Sequence, residues 1–332
     1  MYIWYLRLVY AACVLALCVV VFGAYVRLSD AGLGCPDWPG CYGHLVLPAD
    51  DAARASAQAA YPDRALEAGK AWREMIHRYL ASTLGFLILL IAALAWLDRQ
   101  DPRQPVVLPL LLLGVVIFQG LLGMWTVTLL LKPLIVMAHL IGGLTTTAML
   151  FWLILEHRRR DRRPVLAESS GLAIVGLAVL VLQIALGGWT SSNYAALACP
   201  DLPTCGGEWF PSRADFSEAF VMWRGLGIDY EGGVLEAPAR VAIHYTHRLG
   251  ALLATLVLGF LGIRYLRDRR PELRRAARFV LLALAAQVSL GISIVWFGLP
   301  LPLATAHNGV AALLLLATLN LLHSLRRTPA AV

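Results

Sequence analysis

Four histidines, one glutamate and four cysteines carry most of the chemistry open to this sequence. His77 and His247 are each followed by an arginine, Arg78 and Arg248, and lie 170 residues apart. His139 and His307 lie 168 residues apart, standing 62 and 60 residues beyond the first histidine of each pair. Two imidazoles on different helices of one bundle suit a haem whose iron is bound from both faces. Copper or zinc needs three or four ligands converging closely, and each pair offers only two. For a lone histidine the simpler account is a polar group satisfied by helix packing. Four in a repeated frame favour ligation, because ionisable groups within membrane spans are functional candidates by default.

The two sets differ in one respect. Three residues before His77 stands Glu74, whereas three before His247 stands His244. Positions i and i+3 share a helix face, so Glu74 is expected to look into the same cavity as His77. A carboxylate there suits a base or a stabiliser of developing positive charge; its alternative is an interfacial ion pair with Arg73 or Arg78. Arg78 and Arg248 are candidate partners for haem propionates or, equally, snorkelling anchors. His44 and His244 fall outside the repeated pattern, and His157 and His323 are expected to be solvated.

The cysteines fall in two matching loops, Cys35-Pro-Asp-Trp-Pro-Gly-Cys41 and Cys199-Pro-Asp-Leu-Pro-Thr-Cys205. Their prolines favour a tight turn that brings Cys35 near Cys41 and Cys199 near Cys205. The spacing is not that of redox or zinc Cys-x-x-Cys motifs, so structural disulfides are expected, with redox transfer left open. Cys13 and Cys18 are expected to be packing residues.

The elements that position these groups are membrane helices. Hydrophobic residues make up 59% of the 332, charged residues 15%, and mean hydropathy is +0.68. Such a composition excludes disorder, a soluble nucleic-acid-binding domain and a disulfide-dense miniprotein. A crossing helix needs about 20 apolar residues. Such stretches occur at Leu8–Val26, Tyr79–Leu97, Val106–Leu131, Pro133–Leu155, Ser169–Gly188, Val241–Ile263, Phe279–Phe297 and Leu303–Leu325, which makes eight spans. Lys132-Pro133 and Gly298 to Pro302 supply the divisions within the longest apolar runs.

The net charge of +7 is concentrated in a few loops: five arginines in Glu156–Glu168 and seven in Arg264–Arg278. Arg27–Arg73 has five basic against six acidic residues, and Thr190–Arg240 three against seven. By the positive-inside rule both termini are cytoplasmic, and the cysteine loops and the four histidines lie near the outer face.

An internal duplication underlies the pattern. The cysteine loops and Gly23/Gly187 repeat at an offset of 164, and Gln119, Gly123 and His139 repeat as Gln287, Gly291 and His307 at 168. The expected architecture is all-α: two tandem, parallel four-helix bundles, residues 1–160 and 161–332, related by a pseudo-two-fold axis along the membrane normal.

On these residues the chain resembles the haem A synthase family over nearly its whole length, in the subset with a cysteine pair in each half. The resemblance implies stepwise oxidation of a ring methyl of haem O. Two hydroxylations give a hydrate that loses water to leave the formyl group of haem A. It further implies that His77 and His139 hold the substrate haem, that His247 and His307 hold a resident haem b, and that Glu74 serves the oxidation. Expected partners are the bilayer of a bacterial inner membrane, the enzyme supplying haem O, and an electron acceptor or donor such as a quinone. No nucleic acid is expected, and self-association is left open. The competing class is a dihaem b-type, quinol-linked electron-transfer protein, which accounts for four histidines but not for the Glu74/His244 difference. A transporter built from parallel repeats explains the duplication but not the facing pairs.

Overall fold

The computed structural model describes residues 2–157 and 170–326. The boundary expected at 160/161, the arginines from 158 to 163 and Arg327 lie outside the described residues. Among those described there are ten helices. They are α1 (Tyr2–Leu28), α2 (Asp51–Ala60), α3 (Ala68–Leu97), α4 (Val107–Thr128) and α5 (Pro133–His157), then α6 (Ser170–Ser192), α7 (Phe216–Ala219), α8 (Ala237–Leu266), α9 (Pro271–Trp296) and α10 (Leu301–Leu325). Eight of them are long and apolar enough to cross a membrane. The short α2 and α7 lie in the polar connections, where hydropathy carries no signal. The only extended pairings among the described residues are isolated bridges, Cys41 with His44 and Cys205 with Glu208.

The divisions anticipated within the long apolar runs are real. Leu130 and Leu131 adopt φ of 51° and 59°, and Gly298 and Leu299 adopt 68° and 64°, a left-handed geometry that a continuing helix cannot use. Proline then starts the next helix at Pro133 and in the first turn of α10, where its missing N–H costs nothing. Lys132, only 2% exposed, is satisfied at this break. Its Nζ donates to the carbonyls of Arg224 at 2.6 Å and Gly225 at 3.1 Å and lies over the Trp223 ring.

The helices exceed their apolar stretches. At 30 residues each, α3 and α8 run about 45 Å, some 15 Å more than a hydrocarbon core. The excess lies at their first turns, where Lys70, Arg73 and Arg240 stand.

Among the described residues the two largest buried clusters lie between the long helices. One joins α1, α3, α4 and α5 through Tyr5, Val9, Ile88, Ile91, Leu112 and Leu150. The other joins α6, α8, α9 and α10, with Leu180, Leu258, Leu273 and Leu314 among its members, and takes Leu144 from α5. Helices α1 and α5 lie against α10, and α5 lies against α6. Outward positions such as Phe86, Leu89, Ile117, Leu252, Leu256 and Leu282 remain exposed, the distribution expected where lipid is the solvent. Arg64 reaches both Asp229 (2.6 Å) and Glu231 (2.5 Å), tying the loop before α3 to the loop before α8.

Two expectations fail. His323 is buried, 5% exposed, not solvated: α10 brings it edge-on to Trp152, centroids 5.3 Å apart, and 3.5 Å from Glu156. Helix hydropathy hides this, because the shelter comes from α5. Cys13 is buried, but Cys18 is exposed on α1, since five residues turn the helix by about 140°.

Candidate functional site

The four histidines of the repeated frame fall into two pairs. His77 on α3 and His139 on α5 have ring centroids 6.5 Å apart and planes at 76°. His247 on α8 and His307 on α10 occupy the corresponding helices of the second half. Position along each helix explains the common level. His139 and His307 sit six residues into α5 and α10, and His77 and His247 nine and ten residues into the longer α3 and α8.

Each ring packs against a glycine of the neighbouring helix. A Cβ built at Gly23 would lie 2.8 Å from Cε1 of His77, one at Gly187 3.2 Å from that of His247, one at Gly123 3.4 Å from that of His139, and one at Gly291 3.2 Å from that of His307. A Cβ at Gly23 would collide with the imidazole, and those at Gly187 and Gly291 would press on theirs. Here the sequence repeat of Gly23/Gly187 and Gly123/Gly291 acquires its physical reason.

The spacing of the first pair fits axial ligation of a haem. Two imidazoles held about 2 Å from one metal ion on opposite faces have centroids roughly 6 Å apart, close to the 6.5 Å between His77 and His139. The Nδ1 atoms of His77, His139 and His307 are buried without a hydrogen-bond partner, a costly arrangement for an imidazole that serves only packing. Among the described residues no cluster of three or more His, Cys, Asp or Glu suits a bare metal ion.

Glu74, three residues before His77 on α3, is buried, 5% exposed. Its Oε2 accepts from the backbone N–H of Cys35 at 2.8 Å, and its Oε1 accepts from Arg78 Nη2 at 2.6 Å. Arg78 also donates to the carbonyls of Pro39 (3.1 Å) and Gly40. The ion pair thus forms with Arg78, while Arg73 turns back to the carbonyl of Gly69.

The second set repeats this with one substitution. Cys199 N–H donates to His244 Nδ1 at 3.1 Å, and Arg248 Nε lies 3.3 Å from His244 Nε2. Arg248 donates further to the carbonyls of Asp201, Thr204 and Cys199, each at 2.7 Å. His244, outside the histidine repeat in sequence, therefore occupies the place of Glu74. Both arginines direct these N–H groups at the cysteine loops.

The loops are closed by the expected disulfides, Cys35–Cys41 and Cys199–Cys205. In each, the aspartate after Cys-Pro braces the turn. Asp37 accepts from the N–H groups of Tyr42 (2.6 Å) and Gly43 (2.9 Å). Asp201 accepts from the Thr204 hydroxyl and from Gly206 (2.6 Å) and Gly207 (3.0 Å). Those donors, the threonine hydroxyl first, hold the Asp201 carboxyl well below the usual carboxylate range.

Glutamines are the part of the site that residue types alone passed over. Gln119 Nε2 donates to the backbone carbonyl of His139 at 2.5 Å, Gln287 lies 3.1 Å from the ring Nε2 of His307, and Gln183 lies 3.0 Å from Nδ1 of His247. Gln183 lacks a glutamine at the corresponding position of the first half, so a search for repeats overlooks it. Its signal was being an amide within an uncharged span.

Comparison with known proteins finds relatives along nearly the whole chain. A family model described as cytochrome oxidase assembly protein matches residues 6–319. A heme A synthase of Shewanella oneidensis is 47% identical over 324 residues, covering 96% of this chain and 94% of that protein. Heme A synthases of Rhizorhabdus wittichii and Novosphingobium aromaticivorans are 28% and 27% identical, each over 94% of this chain and 91% and 92% of theirs.

Proposed function

The chain belongs to the cytochrome oxidase assembly family of the heme A synthases, and from that premise we propose how its two histidine pairs divide the work of oxidising haem O to haem A. His77 and His139 bind the substrate haem, and His247 and His307 bind a resident haem b. The single observation that carries this division is the exchange of Glu74 for His244 at otherwise matching positions, each bonded to the N–H of the first cysteine of its loop. A carboxylate can take a proton or stabilise positive charge developing at a methyl carbon under oxidation. A histidine held between Cys199 and Arg248 lacks the negative charge for that second task.

The residues act mainly by position. Holding the substrate through its iron presents the same ring edge to Glu74 in both hydroxylations, a proximity effect. Arg78 and the Cys35 N–H fix both carboxylate oxygens, so Glu74 does not wander between the two steps. Haem b at the second pair supplies one-electron transfer when bound. Arg78 and Arg248, each next in sequence to a histidine, would offer their charge to haem propionates, with N–H groups already bonded to the cysteine loops.

The chain lies in the inner membrane of a bacterium with both ends in the cytoplasm, which puts the cysteine loops and both haem sites toward the outer face. It receives haem O from the enzyme that makes it and exchanges electrons with an acceptor such as a quinone. The bundle boundary falls near residue 160. The test compares wild type with Glu74→Ala in cells supplying haem O, by pyridine haemochrome spectra and chromatography of extracted haems. Haem A made by the wild type and lost in the variant, with haem b retained, is the expected result. Only haem b in both, two per chain, would instead indicate an electron-transfer cytochrome.

A further inference from the structure

The two histidine pairs differ in how their rings are held, and the difference starts at Gln183. This residue lies on α6 one turn before Gly187, the glycine that packs on His247. Its Nε2 donates to the His247 carbonyl at 3.0 Å and lies 3.0 Å from the ring Nδ1. The amide therefore touches both the backbone and the ring of His247, and sets the plane of that ring before any metal arrives.

The first half has no such device. At the repeat offset of 164 the residue is Val19, one turn before Gly23. Valine offers no hydrogen bond, and the Nδ1 of His77 is buried without a partner. The space around the amide is matched to it as well. A Cβ at Gly250 would run into the Gln183 amide; at the offset of 170 the first half has Leu80 instead. Glutamine with glycine in one half faces valine with leucine in the other.

The repeated glutamines follow the same division. Gln287 contacts the ring of His307 at Nε2, whereas Gln119 bonds only the backbone carbonyl of His139; the Nδ1 atoms of both rings lack a partner. Gly142 leaves the room into which the Gln119 amide settles, and Val310 fills the corresponding place. Both rings of the second pair are thus held by amides, and neither ring of the first pair is.

We propose that Gln183 is the positioning residue that makes the second pair retain its haem, and that Val19 in its place leaves the first pair suited to release one. This rests on the two-haem reading above. A substrate site must admit one haem and discharge another at every turnover, whereas a resident electron carrier must stay. Outer hydrogen bonds that orient a ligating histidine change metal affinity by about 10–100-fold, enough to separate the two behaviours.

The test loads the full chain in lipid nanodiscs with haem b and follows its transfer to excess apomyoglobin. Two phases are expected, His77→Ala abolishing the fast one and His247→Ala the slow one. Gln183→Val is expected to accelerate the slow phase by about 10–100-fold and to alter the low-spin electron paramagnetic resonance signal of the second haem. The reciprocal variant, Val19→Gln with Leu80→Gly, is expected to slow the fast phase, an outcome that disturbed folding does not mimic. An unchanged slow phase and unchanged signal in Gln183→Val would overturn the proposal. If His247→Ala keeps the slow phase, the assignment of two haem sites fails first and takes the role of Gln183 with it.

Discussion

Glu74 and His244 receive the same bond: the N–H of Cys35 donates to Glu74 Oε2 at 2.8 Å, and the N–H of Cys199 donates to His244 Nδ1 at 3.1 Å. Each also sits beside the arginine four residues on, Arg78 at 2.6 Å and Arg248 at 3.3 Å. One scaffold therefore holds a carboxylate in one half and an imidazole in the other. The chemistry of the halves differs by a side chain, not by a fold.

Replacing Glu74 by glutamine preserves an acceptor for the Cys35 N–H and removes the charge and the basicity. General-base participation is worth about 10²–10⁴-fold, so haem A formation is expected to fall by that order while haem b content stays constant. Chromatography of extracted haems measures both at once. Undiminished haem A would remove Glu74 from the reaction.

Opening the first disulfide should act on Glu74 at a distance. The Cys35–Cys41 bond closes a short loop, which constrains the unfolded chain by about 2 kcal/mol, and the same loop carries the Glu74 donor and the carbonyls bonded to Arg78. Cys35→Ser with Cys41→Ser is expected to lower haem A yield and leave haem at the second pair. Cys199→Ser with Cys205→Ser is expected to do the reverse, lowering haem b content first. Equal losses at both haems in both variants would contradict a local role for each loop.

The glycines facing the rings make a graded prediction. A Cβ at Gly23 meets His77 at 2.8 Å, but one at Gly187 meets His247 at 3.2 Å. Gly23→Ala must displace its imidazole, whereas Gly187→Ala needs a shift of only a few tenths of an ångström. Haem bound at the first pair should be lost more completely in Gly23→Ala than haem at the second pair in Gly187→Ala. Haem-to-protein ratios of the purified variants decide the order.

The Asp201 brace has a definite acid sensitivity. Its folded-state pKa is depressed by the Thr204 hydroxyl and the Gly207 and Gly206 N–H groups. Its contribution is therefore fully present above the ordinary carboxylate value of about 3.9 and is lost as pH falls from there through the depressed folded value. Between pH 8 and 5 the loop from Cys199 to Cys205 should be unaffected, and protection should fall only in stronger acid. Asp201→Asn should weaken the loop at every pH and flatten that acid response. Hydrogen exchange of the loop amides, corrected for intrinsic rates, would show an acid step in the wild type alone.

Much of this was open to inspection in the chain itself. Eight crossings follow from apolar length alone, since a continuous apolar run in hydrocarbon must satisfy its backbone within itself, as a helix does. Their breaks follow from Lys132-Pro133 and from Gly298 to Pro302, where helix geometry cannot continue. The pairing of His77 with His139 followed from a repeat in the chain, and so did the disulfides, because a seven-residue Cys-Pro turn keeps its ends close whatever surrounds it. Tertiary structure alone decided what each polar group is bonded to. That Glu74 takes its proton donors from Cys35 and Arg78, that His323 is sheltered by Trp152, and that Gln183 reaches the ring of His247 all depend on which faces of distant helices meet. Hydropathy records how deeply a segment lies in the membrane but not its rotation about its own axis. Half a turn of that rotation decides whether a glutamine touches a histidine or a lipid.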